Sequence, residues 1–350
     1  MIKQHDKQQF TTQLLAWYKQ HARILPWRED NSAYRVWVSE IMLQQTRVEA
    51  VKPYFERFLS ALPTLQDLAC AGDDELAKLW EGLGYYNRVR NMKKCAQRCV
   101  EEFDGQLPNT STLLKTLPGI GDYTAGAVAS IAYGENIPAV DGNVLRVFTR
   151  VLVCEDDILK ETTKKKFQNI IQDYMPEGRS SDFNQALMEL GALICVPNAA
   201  PRCNICPVSD QCLGYQSGQA QRLPNKTQKK KRRIEQKTIL VLVNDKNIYL
   251  QQRPKEGLLA NLYEFMNYEG FLKKKDLQEH IKGIKKITKL PNAKHIFSHI
   301  EWQMHGFFVE VEHMDQEGIW CTMEDIDYQY AIPTAYKVYR EALVEWYKEK

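Results

Sequence analysis

The period of the hydrophobic pattern changes at one charged stretch, and that change constrains the fold of this chain more than any other feature. Up to about Leu213 the apolar residues recur at helical spacing, as Phe10, Leu14, Trp17 and Tyr18 do in the first segment. The helices are separated by Leu62-Pro63-Thr64, Ala71-Gly72-Asp73, Asp104-Gly105 and Leu107-Pro108-Asn109, and no alternating strand interrupts them. Between Lys226 and Arg233 six of eight residues are basic: Lys226, Lys229, Lys230, Lys231, Arg232 and Arg233. Beyond them the pattern becomes β-rich. Thr238–Val243 and Asn247–Gln252 flank an Asp245-Lys246 turn, Ala293–Ser298 and Trp302–Val311 read as further strands, and Lys273–Ile284 and Pro333–Trp346 read as helices.

The 350 residues suffice for two cores. The pattern predicts a multi-domain chain: a mainly α domain over residues 1–222, a basic linker over 223–236 and an α+β domain over 237–350. The linker reads as a solvated connector, and its charge equally suits a phosphate backbone. With 44% hydrophobic and 26% charged residues, 18 Gly and 14 Pro, the composition excludes collagen-like, low-complexity and wholly disordered classes. Met1 to Phe10 lacks the apolar core of a signal peptide, and no run approaches the roughly 18 apolar residues of a membrane span. A cytoplasmic protein is expected. Nine cysteines, an odd number in a chain this large, favour metal-binding or core thiols over disulfides. The net charge of +3 argues neither for nor against nucleic acid.

Three local patterns carry chemistry. Cys195, Cys203, Cys206 and Cys212 have the spacing C-x7-C-x2-C-x5-C after a helix over Ser180–Leu193. Unequal intervals suit a four-iron cluster better than the paired cysteines of structural zinc sites, with a zinc knuckle or buried thiols as alternatives. The loop between the first two, Val196 to Arg202, carries Arg202 and could project toward a phosphate. Leu117-Pro118-Gly119-Ile120-Gly121-Asp122-Tyr123-Thr124 precedes an apolar helix over Ala125–Ala132. Its glycines allow close backbone approach, and the N–H groups at the helix start suit one phosphate, although a plain turn between packed helices leaves the same trace.

The third pattern is a pair of carboxylates. Val36 to Gln45 is apolar almost all round, so Glu40 is expected to be buried. Burial raises its pKa toward that of a general acid, unless an arginine such as Arg35 or Arg47 pairs with it. Asp141-Gly142-Asn143 precedes a helix over Val144–Leu152 that carries Arg146 and Arg150. Asp141 either caps that helix or stays ionised at its positive end. A protonated Glu40 with a charged Asp141 would form the pair that cleaves glycosidic bonds.

Together these patterns resemble the endonuclease III superfamily of helix-hairpin-helix DNA glycosylases and, within it, the adenine DNA glycosylase (MutY) family. The matches are Leu25-Pro26-Trp27-Arg28, Val38 to Thr46, Gly82-Leu83-Gly84-Tyr85-Tyr86, Leu117 to Thr124 and Val140-Asp141-Gly142-Asn143. The resemblance implies a helix-hairpin-helix domain with one [4Fe-4S] cluster on Cys195, Cys203, Cys206 and Cys212, then a Nudix-like domain. The cluster loop has one residue more than the family's usual first interval. From Asn267 to Lys289 there is no Arg-Glu-x-x-Glu-Glu core of a Nudix hydrolase, so recognition is implied there rather than pyrophosphate hydrolysis.

The implied partner is double-stranded DNA with adenine opposite 8-oxoguanine or guanine, bound by a monomer. Glu40 would protonate adenine, Asp141 would stabilise the sugar cation, and Tyr123 and Asn143 would position the reacting groups. Trp27 and Arg28 would line the adenine pocket. Gln45, Thr46 and Tyr85 would hold the opened stack, Gly119 and Gly121 a phosphate, and Phe297, Ser298 and His299 the 8-oxoguanine. Lyases of the superfamily carry a nucleophilic lysine where this chain has Tyr123, which implies base removal alone. An endonuclease III-like lyase for oxidised pyrimidines and a non-catalytic iron-sulfur redox sensor are the alternatives. Cys70, Cys95, Cys99, Cys154 and Cys321 read as core side chains, and the runs Lys164–Lys166 and Lys273–Lys275 as solvated surface.

Overall fold

The computed structural model describes residues 5–197, 199–227, 231–312 and 317–349. The chain forms two compact units, one of residues 1–70 with 91–228 and one of residues 71–90 with 229–350. Among the described residues no helix is long and apolar enough to cross a membrane.

In chain order the helices are α1 (Lys7–His21), α2 (Ala33–Leu43), α3 (Val48–Ala61), α4 (Leu65–Cys70), α5 (Asp73–Leu79), α6 (Asn87–Glu102), α7 (Ser111–Leu114), α8 (Asp122–Tyr133), α9 (Gly142–Leu152), α10 (Glu161–Gln172), α11 (Ser180–Leu193) and α12 (Leu213–Gln216). A 3₁₀ turn, Pro26–Arg28, lies between α1 and α2. The first unit is helical, as its periodicity predicts. Asp6 caps α1 by accepting from the N–H groups of Gln8 and Gln9 at 2.8 and 3.1 Å. Phe10 and Leu14 of α1 enter a core with Val147 and Phe148 of α9, Phe167 of α10 and Phe183 and Leu187 of α11. Helix α2 is buried from Val36 through Met42, which is why its sequence is apolar on every face. It packs on α8, which in turn packs on α11.

Residues 71–90 depart from the sequence-based boundary, which assigned them to the helical domain. Apart from a local Lys78–Glu81 pair, the bonds that follow are long-range and tie them to the rest of the second unit. Lys78 donates to Glu81 at 2.5 Å and to the Ile326 carbonyl at 2.8 Å, Glu81 accepts from the Ile332 N–H at 2.9 Å and from Arg340 at 3.3 Å, and Arg90 donates to the Ala260 carbonyl at 2.7 Å. The expected linker is also less free than its charge suggests. Ile158 donates to the Asn225 carbonyl and Thr227 to Asp157, so residues up to Thr227 are fastened to the first unit. Lys229 and Lys230 lie outside the described residues.

The second unit holds β1 (Arg233–Asn244), β2 (Asn247–Gln252), β3 (Tyr263–Glu264), β4 (Met266–Glu269), α13 (Lys274–His280), β5 (Ile284–Ile296), β6 (Ile300–Val311), β7 (Ile319–Cys321), α14 (Met323–Tyr328) and α15 (Lys337–Lys348). Its sheet runs β3-β2-β1-β6-β5, with β1 parallel to β6 and the other pairs antiparallel. Strand β1 is buried without a break from Thr238 to Val243, because both sheet faces are covered. One face carries Ile239, Val241 and Trp302 against Tyr336 and Tyr339; the other carries Leu240, Leu242 and Val309 against Leu277 of α13. The helix expected over Lys273–Ile284 stops at His280, and β5 begins at Ile284, well before the strand expected from Ala293. Cys70 is exposed rather than buried, and Cys154 is only partly buried.

Gly306 of β6 marks the closest approach of sheet and helix, since a Cβ there would lie 2.1 Å from a ring carbon of Tyr339. Gly306→Ala should therefore overpack the core and destabilise the second unit by about 1–3 kcal/mol. Urea denaturation followed by near-UV circular dichroism checks this.

Candidate active site

The first unit opens a cleft of about 970 Å³ whose wall includes Trp27, Arg28, Glu40, Gln45, Thr46, Gly119, Gly121, Tyr123, Asp141 and Asn143. Ten residues singled out in the sequence, from four separate segments, thus meet in one place. Trp27 packs edge-on against Phe55 beneath the cleft, with ring centres 5.5 Å apart. Gln45, just past the end of α2, has φ 60°, a left-handed conformation that costs energy for a residue with a side chain. Gly119 has φ 76°, and a Cβ there would sit 2.7 Å from that of Asn91, so both conformation and space require glycine. The helix expected from Ala125 starts three residues earlier, at Asp122, which places Tyr123 in its first turn.

Glu40 is 6% exposed and accepts a hydrogen bond from the Tyr123 hydroxyl. Among the described residues no arginine forms an ion pair with it. Arg35, the partner a purely structural role would use, donates instead to the Pro26 carbonyl at 2.9 Å. Burial pushes the Glu40 carboxyl up to about 7; the Tyr123 bond and Arg28 oppose the rise, and Asp141 adds to it. A carboxyl in this state is a proton donor near neutral pH.

Asp141 caps α9. Its Oδ1 accepts from the N–H groups of Asn143 and Val144 at 2.9 and 2.7 Å, and its Oδ2 accepts from the Asn143 side chain at 2.7 Å. These bonds favour the carboxylate, yet burial outweighs them and moves its pKa above the ordinary value. The helix terminus alone would predict the opposite direction. Asn143 is fixed in turn: its Oδ1 accepts from Arg146 at 2.8 Å, and Arg146 also donates to the carbonyls of Gly191 and Cys195, both at 2.8 Å.

The sequence reading missed Glu189 of α11. It is fully buried, accepts from Arg23 at 2.6 and 2.9 Å and from Arg28 at 3.0 Å, and lines the same cleft. Burial would raise its pKa, but the two arginines overcome this and hold the carboxyl below its usual range. The available signal was the one that exposed Glu40: a glutamate among Ala186, Leu187 and Leu190 on a largely apolar helix.

Cys195, Cys203, Cys206 and Cys212 line one small apolar cavity behind α9. Arg150 donates to the Cys195 sulfur at 3.2 Å, and the Tyr215 N–H to the Cys212 sulfur at 3.4 Å. Among the described residues no three cysteine, histidine or acidic side chains are drawn together around a single metal ion. Arg202 is exposed.

The other predicted residues belong to the second unit. Tyr85 is 48% exposed, has φ 48°, and lies with its hydroxyl 3.0 Å from that of Ser298. Phe297, Ser298 and His299 form the turn between β5 and β6. Phe297 leans edge-on against Trp302 at 4.9 Å, and its carbonyl accepts from Arg232 at 3.1 Å.

Comparison with known proteins agrees with this geometry. Residues 38–173 match the HhH-GPD superfamily of base excision DNA repair proteins, and residues 238–342 match the NUDIX domain. Adenine DNA glycosylase of Mus musculus is 36% identical over 85% of this chain and 69% of its own. That of Buchnera aphidicola subsp. Schizaphis graminum is 33% identical over 90% of this chain and 93% of its own. Among solved structures, a thermostable thymine-DNA glycosylase superposes with a TM-score of 0.54 at 27% identity, covering 60% of this chain and 97% of that one. The chain belongs to the adenine DNA glycosylase family, and it is a DNA glycosylase of base excision repair.

Proposed function

We propose that this enzyme removes adenine opposite 8-oxoguanine, and opposite guanine, by hydrolysis alone, with Glu40 as its general acid. The observation that carries this reading is the Glu40 carboxyl, buried in the cleft, bonded to Tyr123 and half protonated near pH 7. Adenine reaches such a cleft by flipping from the duplex, at a cost of a few kcal/mol that a mispair reduces. Glu40 gives its proton to N7 of the base. The C1′–N9 bond then breaks with its electron pair passing to adenine, and the sugar becomes an oxocarbenium ion.

Asp141, in its carboxylate form, lies toward that cation. Water adds to C1′ and loses a proton to a carboxylate of the cleft. Tyr123 and Asn143 hold Glu40 and Asp141 in place. Tyr123 has no amine and forms no Schiff base, which supports base removal without strand cleavage. Arg28, locked by Glu189, gives the cleft wall beside Trp27 a fixed cation.

Phe297, Ser298 and His299 are assigned to the 8-oxoguanine, with Tyr85 beside them; the Tyr85–Ser298 contact supports that grouping. The assigned partner is duplex DNA, bound by a monomer in the cytoplasm. The family suggests an iron-sulfur cluster, and we assign a [4Fe-4S] cluster to Cys195, Cys203, Cys206 and Cys212. The donor set fits: four thiols wall one cavity, and an arginine donates to one of the sulfurs, as suits a thiolate. When bound, the cluster supplies a cross-link among these four positions and a redox centre.

Glu40→Gln should lower single-turnover adenine release by about 10²–10⁴-fold while retaining duplex binding, and in the parent enzyme release should fall as pH rises through about 7. Full activity in the variant, or a rate flat from pH 6 to 8, contradicts the assignment. The same group also sets a stability trend. Its folded pKa, about 7, lies above the ordinary 4.5, so Glu40 carries no penalty below pH 4.5 and an increasing one as pH rises through 7. That penalty reaches about 3 kcal/mol. Glu40→Gln should therefore unfold at higher temperature than the parent at pH 8, with the difference closing by pH 5 in a thermal scan. On duplexes with adenine opposite 8-oxoguanine, guanine or thymine, Ser298→Ala should narrow the parent's preference for the first, and borohydride should trap no covalent complex. Strong trapping identifies a lyase.

A further inference from the structure

The β5 edge of the second unit carries charge that the cleft does not use. Between Ile281 and Ile300 the chain has five lysines, Lys282, Lys285, Lys286, Lys289 and Lys294, and no acidic residue. All five are exposed, and the last four stand on β5, the edge strand of the sheet. Lys294 pairs with Glu301 at 3.1 Å, and Lys286 reaches Glu310 at only 3.8 Å. Among the described residues Lys282, Lys285 and Lys289 have no carboxylate partner.

Lysines on an exposed edge also keep sheets from pairing with one another. That role is already served here, since β5 contains Pro291 and its pairing with β6 is broken by two register shifts. Two further observations concern where the strand leads. It runs directly into the Phe297–His299 turn, and the far side of that turn is fastened by Arg232, which donates to the Phe297 carbonyl at 3.1 Å, and by the Arg233 N–H, which donates to the His299 carbonyl at 3.0 Å. The turn is thus flanked by Arg232 on one side and by Lys294, paired with Glu301, on the other, while Arg233 is paired with Glu235 at 2.5 Å.

We propose that β5 is a phosphate track: Lys282, Lys285, Lys286 and Lys289, with Arg232 at its end, hold the backbone of the DNA strand whose base meets the Phe297–His299 turn. The inference rests on assigning that turn to the base opposite adenine. Thirteen residues at about 3.3 Å each give a strand of about 40 Å, long enough to follow several nucleotides. Lysine suits the task because a compact charge on a flexible stem neutralises a phosphate without reading the base. An acidic protein is the other occupant that such a row would attract, and the test separates the two.

The experiment uses the full chain with Lys285, Lys286 and Lys289 all replaced by alanine, and measures affinity for a duplex with adenine opposite 8-oxoguanine between 50 and 200 mM salt. The plot of log affinity against log salt should become shallower by about two to three, at ~0.9 per lost phosphate contact. The same three positions changed to arginine should keep the parental slope. If the alanine variant fails to fold, Lys285→Glu and Lys289→Glu, made singly, should each lower the slope by about one.

An unchanged slope in a folded variant overturns the proposal. Combined with concentration-dependent light scattering it assigns the lysines to edge protection, and combined with lost binding to an acidic polypeptide it assigns them to a protein partner. A parent enzyme that shows the salt dependence but releases no adenine removes the glycosylase mechanism and leaves the track standing. A parent that releases adenine, beside a variant of unchanged slope, removes the track alone.

Discussion

A buried carboxyl group that accepts a hydrogen bond from a tyrosine hydroxyl is the constraint around which the first unit is arranged. Ionising Glu40 in that setting costs about 3 kcal/mol, a sizeable part of the 5–15 kcal/mol that a typical domain has in hand. The surrounding packing has to supply it. Helix α2 is accordingly buried on every side around Glu40, and α8 brings the Tyr123 hydroxyl to it. Elsewhere on the wall of the same cleft, Glu189 is also buried but held between Arg23 and Arg28, which keep its pKa below the ordinary value. Residue type is the same and the pKa moves in opposite directions, because the partners differ.

The other side of the cleft is held from α9. Asp141 is bound to the first N–H groups of the helix and to Asn143, Asn143 to Arg146, and Arg146 to the carbonyls of Gly191 and Cys195. This chain of bonds requires α9 and α11 to lie close together. Gly191 permits it, since a Cβ there would come within 2.8 Å of the Asn143 Cβ. The proposed electrostatic partner and the cysteine-bearing loop are therefore positioned by the same buried arginine, and a disturbance at Cys195 has a direct hydrogen-bonded route to Asp141.

What was legible in the sequence was local. Glu40 stood out because no face of α2 was polar, and the α9 cap because Asp-Gly-Asn precedes a helix. Glu189 lay on a comparable apolar helix, but its meaning depends on Arg23 and Arg28, more than 160 residues earlier in the chain. The grouping of residues 71–90 with the sheet unit was hidden for the same reason, since Glu81 finds Arg340 only after folding. Strand β5 was half missed because its lysines and two register shifts destroy the alternation that identifies a strand. The linker looked free because charge says nothing of backbone bonds such as that from Ile158 to Asn225.

The sheet unit matches the NUDIX domain over residues 238–342. Its Nudix-like strands lack the acidic core of a hydrolase, and what they hold rigidly instead is the turn after β5. Phe297 rests on Trp302, whose indole N–H donates to Glu235 at 2.8 Å and whose ring is faced by Lys237 and Arg253 at 4.9 and 5.6 Å. Arg253 is itself fixed by Glu264, which also accepts from Tyr336 at 2.5 Å. Each member of this stack contacts the next, and Ser298 and His299 follow Phe297 as the exposed part of the turn. In the proposed role of that turn at the base opposite adenine, side chains already packed in the folded state leave less to be ordered at each encounter.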